Sequence, residues 1–102
     1  MSVDLARQQW EEGARRLNEA ARDPLEHDRL FAVVDAIVDE LRRRVGSRYT
    51  LAELADEYGR ADRWARDIVA AAAPVPGWPR QLATAGDAAF HLYARGAVDY
   101  TP

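Results

Sequence analysis

The chain contains no cysteine. Disulfides, thiolate nucleophiles and Cys-ligated zinc or iron–sulfur centres are therefore excluded. Lysine is absent too, so all 14 basic residues are arginine. Serine occurs only at Ser2 and Ser47, and no G-x-S-x-G elbow surrounds either one. The two histidines, His27 and His91, form no HxxxH or ExxH motif, so a metal site would need them to meet through the fold. The six glycines are scattered along the chain and form no phosphate-cradling loop. No apolar run approaches the roughly 20 residues that a membrane-spanning helix needs. Acids and arginines interrupt the N-terminal stretch where a signal peptide would need an apolar core. No alternating run suggests a strand. These absences lead to the expectation of a cytoplasmic, non-catalytic protein with no cofactor, no metal and no membrane contact.

What remains is a chain built for helices. Its 102 residues suit one domain spanning 1–102, and 48% hydrophobic residues suffice for one core. The net charge of −3 is unevenly spread. Residues 1–41 carry ten acids against five arginines, whereas residues 42–66 carry seven arginines against four acids. The middle of the chain is thus a basic island within an acidic protein.

Periodicity and capping signals predict five helices. The first covers Val3 to Arg22, with Val3, Ala6, Trp10, Ala14, Leu17 and Ala21 along one narrow face and acid–arginine pairs Glu11–Arg15 and Glu12–Arg16 on another. Asp23-Pro24-Leu25-Glu26 reads as a capping start for the second. That helix runs to Val45, with a wide stripe from Leu30 through Val34, Ile37 and Leu41. It ends in three arginines before Gly46, a residue suited to a left-handed cap. Thr50 and Glu53 form a capping box for a short third helix, Leu51 to Tyr58, which Gly59 closes. The fourth covers Ala61 to Ala73. Pro74 to Pro79 is then expected to be extended, with Trp78 folded back onto the core. The fifth is expected from Thr84, with Asp87 the acid three residues later, to Arg95, and His91 within it is expected to pack half-buried. The reading is an all-α bundle of about five helices with a tight hairpin at its centre.

That hairpin, TLAELADEYGRADRWARDIVAAAA over residues 50–73, resembles a helix-turn-helix unit. Ala55 would be the small contact between the helices, Gly59 the turn, and Ala65 and Ile68 the closing positions. The resemblance implies that the fourth helix reads DNA. Arg60, Arg63 and Arg66 would then face outward, with Arg42, Arg43, Arg44 and Arg48 on phosphates. Asp62 and Asp67 share the supposed reading face and would repel phosphate, the chain as a whole is acidic, and no β-wing is visible. The stretches TLAELADEYGRADRWARDIV, PGWPR and DAAFHLYARGAVDY also resemble small helical proteins of high-GC actinobacteria. This second resemblance implies a source and no activity.

Two functions follow from these residues. The leading one is a protein-interaction or regulatory module. Its island of Arg42, Arg43, Arg44, Arg48, Arg60, Arg63 and Arg66 would dock an acidic surface, or Trp10 and Trp78 would anchor a partner. The other is a helix-turn-helix transcriptional regulator that binds DNA. Both tryptophans can equally close the core.

Overall fold

A computed structural model describes residues 2–20, 24–71 and 78–102 of the chain. It is an all-α bundle of five helices: α1 (Val3–Ala20), α2 (Pro24–Val45), α3 (Leu51–Tyr58), α4 (Ala61–Ala71) and α5 (Trp78–Ala94). Its radius of gyration, 13.0 Å, is what one domain of about 100 residues gives. No described helix is long and apolar enough to cross a membrane.

The largest interface joins the first helix to the last. The two run antiparallel, so that Trp10 stacks on Phe90 while Gly13, one turn further along α1, meets Asp87. The alanine-rich face of α1 makes this possible. Ala6 on one side and Ala85, Ala88 and Ala89 on the other are all buried, and small side chains let the two backbones approach closely. At Gly13 the approach is closest, since a Cβ there would lie 2.2 Å from Asp87 Cβ. The α1 face is therefore covered by its own domain. The apolar stripe of α2 (Leu30, Val33, Val34, Ile37, Leu41) packs mainly against α5 and completes the core.

Phe90 is the hub of an aromatic cluster. Trp10 lies 5.5 Å away, Tyr58 5.0 Å in an edge-on arrangement, and Trp64 6.4 Å. Offset and edge-to-face pairs of this kind add to what area burial alone provides. Trp10 is only 1% exposed, and its indole N–H has no hydrogen-bond partner among the described residues.

Helix termini follow the sequence signals where those are local. Gly46 ends α2 at φ 79°, the left-handed cap that glycine adopts without steric cost. The Thr50–Glu53 capping box forms as expected. A second cap on α3 arrives from far along the chain: the Asp99 carboxylate accepts the Leu51 N–H at 2.8 Å. The C-terminal tail is held by further contacts of the same kind. Val98 N–H donates to the Tyr49 carbonyl at 2.9 Å, and the Tyr49 hydroxyl donates to the Tyr93 carbonyl. The Tyr49 and Tyr93 rings stack at 4.5 Å, and Arg7 sits over Tyr100 while donating to the Thr101 carbonyl.

Four expectations need correction. α5 begins at Trp78, six residues before Thr84, so Trp78 and Pro79 are helical; proline is tolerated there because first-turn N–H groups have no intrahelical acceptor. Asp87 is consequently inside α5 and caps nothing. Gly59 joins α3 to α4 at φ −62°, a right-handed conformation open to any residue, so the turn does not depend on glycine. Arg15 bonds Glu12 and Glu19 in place of Glu11, while the Glu12–Arg16 pair forms at 3.0 Å. The extended segment expected before Trp78, the Trp78 side chain, the Asp23 cap with its Glu26 partner, and the last residues assigned to the first and fourth helices lie outside the described residues.

Candidate functional site

The central hairpin is short. α3 and α4 are linked only by Gly59 and Arg60, and the Arg60 N–H donates to the Glu57 carbonyl at 2.9 Å. Amphipathicity fixes how α4 sits: Ala61 and Trp64 are buried, and Ala65 and Ile68 are partly covered by the core. Asp62, Arg63, Arg66, Asp67, Ala70 and Ala71 are left facing outward. The closing position of the hairpin is thus Trp64 more than Ala65.

Trp64 brings a polar partner into the core with it. Glu57, 5% exposed, accepts the Trp64 indole N–H at 3.1 Å through Oε1. Its Oε2 accepts from Arg60 at 3.0 Å. Arg44, from the end of α2, reaches Oε1 at 3.7 Å and lies 5.0 Å over the Trp64 ring, a cation–π contact. One carboxylate therefore joins α2, α3 and α4. Buried charge is tolerated only when paired and hydrogen-bonded, and here both oxygens are engaged.

The consequence falls on the basic island. Arg44 and Arg60 are tied to Glu57, Arg44 also pairs with Glu40 at 3.1 Å, Arg43 with Glu40 at 3.5 Å, and Arg42 with Asp39 at 3.4 Å. The surface pairs are weak individually, but they offset the local charge. Arg48, Arg63 and Arg66 have no ion-pair partner among the described residues. Arg63 and Arg66 lie one turn apart on the same exposed face of α4, next to Asp62 and Asp67, which are likewise unpaired there. The face is mixed in charge and not a cationic stripe.

Trp10, named as a possible partner anchor, is withdrawn from the surface by its burial between Phe90 and Tyr58. Trp78 contributes its backbone to the first turn of α5, and its side chain is outside the described set.

A cavity of about 350 Å³ opens between α1, the α3–α4 turn and α5, with Gln9, Tyr58, Asp62, Asp87 and Phe90 in its lining. Tyr58 donates its hydroxyl proton to Asp87 Oδ1 at 2.6 Å, and its oxygen lies 3.1 Å from the Gln9 carboxamide. A phenol has one proton; with that proton on Asp87, the Gln9 contact is satisfied by the amide group turned to donate. Burial pushes the Asp87 carboxyl above its ordinary value, with the Tyr58 bond and the Arg16 charge acting in the other direction. Burial likewise holds the Tyr58 phenol well above the ordinary tyrosine range, and the Asp87 carboxylate adds to that shift. The signal in the sequence is slight: Asp87 stands among alanines, between Gly86 and Ala88, one turn before His91. His91 itself is half-buried.

His27 stacks on Phe31 at 4.3 Å, with Nδ1 3.9 Å from Asp28. Among the described residues no group of three or more His, Asp or Glu side chains is placed to hold a metal ion. Comparison with family models, with curated proteins and with solved structures returned no match.

Proposed function

We propose that this protein is a non-catalytic interaction module of the cytoplasm, and that the outward face of α4 docks an acidic patch on a partner protein. One observation carries the reading. Four of the seven island arginines are held on the protein's own carboxylates, and of the three others Arg63 and Arg66 are presented together on α4. Arginine is over-represented at interface hot spots, and Arg63 and Arg66 are exposed together on one face of α4. The other docking route, a partner helix on α1, is closed because α5 occupies that face.

Placing a photo-crosslinking residue at Ala70 tests the reading, with the same group at the exposed Asp35 on α2 as the control position. In lysate of the source organism, the Ala70 probe should capture a protein that Arg63→Glu with Arg66→Glu releases. Equal capture from both positions, or capture that survives the double reversal, counts against it.

A DNA-binding regulator is the second reading. Arg48, Arg63 and Arg66 favour it, since they are the island arginines with no ion-pair partner among the described residues. Asp62 and Asp67 on the same face oppose it, as does the net charge of −3.

A further inference from the structure

We infer that the cavity beside Tyr58 and Asp87 is a binding site for a small organic cation, an alkylammonium or alkylguanidinium. The inference does not depend on the α4 face. Three features of the cavity point to this chemistry.

The first is charge. Asp62 and Asp87 both contribute to the lining, and no basic side chain is among its described residues. Arg16, whose charge acts on Asp87, is held by Glu12 at 3.0 Å on the exposed side of α1. The second is the state of Asp87. The Tyr58 hydroxyl bonds its carboxylate through Oδ1, and burial disfavours its charge. A cation at Oδ2 would supply the compensation that a half-buried carboxylate calls for. The third is the wall. Tyr58 and Ala65, both only partly buried, offer apolar surface for a hydrocarbon stem, and an aromatic ring such as that of Tyr58 attracts a cation. About 350 Å³ falls within the range of small-molecule sites, which combine apolar walls with few fixed polar groups.

In the bound state the ammonium or guanidinium sits on Asp87 Oδ2, the stem lies along Tyr58 and Ala65, and the exposed Asp62 draws the cation in. Tyr58 and Gln9 hold the Asp87 carboxylate in place and are positioning residues.

The test is a two-dimensional amide NMR titration of the full chain with n-butylammonium and n-butylguanidinium. n-Butanol serves as the neutral control, and N-acetyl-arginine N-methylamide as the backbone-flanked form. Saturable shifts centred on Gly86, Asp87 and Ala61 are expected, with Kd of roughly 1 mM or below. Asp87→Asn should weaken binding about tenfold or more, because a charge-assisted bond is lost, and Asp62→Asn should weaken it less. Neither substitution removes a core side chain, and the melting temperature of each variant confirms that it is folded. Binding of the free cations without the acetylated arginine supports a free small molecule. Binding of the acetylated arginine alone keeps the cation chemistry but assigns it to a partner's side chain, which overturns a free ligand. The inference fails outright if no shift saturates, if n-butanol binds as well, or if folded Asp87→Asn binds like the wild type.

Discussion

Glu57 accepts the Trp64 indole N–H at 3.1 Å inside the core while its other oxygen holds Arg60 at the surface. This pairing is local in sequence, seven residues apart, yet it decides how the hairpin is closed and what its arginines are free to do. Replacing Glu57 with Ala leaves the Trp64 N–H without an acceptor and releases two arginines. The expected cost is about 2–3 kcal/mol by urea unfolding. Glu57→Gln keeps an acceptor for Trp64 and should cost about 1 kcal/mol. Equal effects of the two substitutions would show that the Trp64 bond contributes nothing.

Two glycines should respond to alanine with opposite sign. At Gly13 the new Cβ would lie 2.2 Å from Asp87 Cβ, an atom fixed to the α5 backbone, so α1 must move off α5. The loss of packing, about 1–3 kcal/mol, outweighs the roughly 1 kcal/mol that alanine adds to a helix interior. At Gly86 nothing lies within 4 Å of the new Cβ. Gly86→Ala should therefore stabilise by about 0.5–1 kcal/mol, a rise of several degrees in Tm for a domain of this size.

Asp99 caps α3 from across the fold, so its loss should be felt at the hairpin and not only at the tail. Asp99→Ala is expected to destabilise by about 1 kcal/mol and to raise amide exchange at Leu51. Unchanged exchange at Leu51 would mean that the Thr50–Glu53 box caps the helix unaided.

The Asp87 carboxyl gives a pH signature. Burial raises its folded pKa above the ordinary 3.8 of the unfolded chain. The folded state therefore binds more protons between the two values. Stability from this group is fully present below the unfolded value and is lost as pH rises through the folded one. The difference in unfolding free energy between wild type and Asp87→Asn should fall across that window and be flat above it. Tyr58 should still titrate above the ordinary tyrosine range in the variant, because burial is the larger cause of its shift.

The local features of the fold were legible in the sequence. The α2 stripe, the Gly46 cap, the Thr50–Glu53 box and the bounds of α3 each depend on residues within two turns of one another, and periodicity reads those well. The start of α5 was not legible, because Pro79 after a Pro-Val-Pro-Gly run signals extended chain as strongly as it signals a first helical turn. The candidate site was legible only in part. The outward position of Arg63 and Arg66 is legible, since amphipathicity alone decides it. The pairing of Arg44 with Glu57, the Asp99 cap and the Tyr58–Asp87 bond depend on which helices become neighbours, and no spacing within one helix encodes that. Trp10 showed the same ambiguity: a large aromatic on an alanine-rich face suits a core or a partner, and the close approach of α5 settles it.

On the reading proposed above, the basic island is largely neutralised from within and does not grip nucleic acid. Fluorescence anisotropy with mixed-sequence duplex DNA, at low and at physiological salt, puts this to the sharpest trial. No salt-sensitive binding is expected in either condition, and no difference between the wild type and Arg63→Glu with Arg66→Glu. Binding that falls steeply with salt, as phosphate contacts require, and that the double reversal abolishes would contradict the reading and install α4 as a recognition helix.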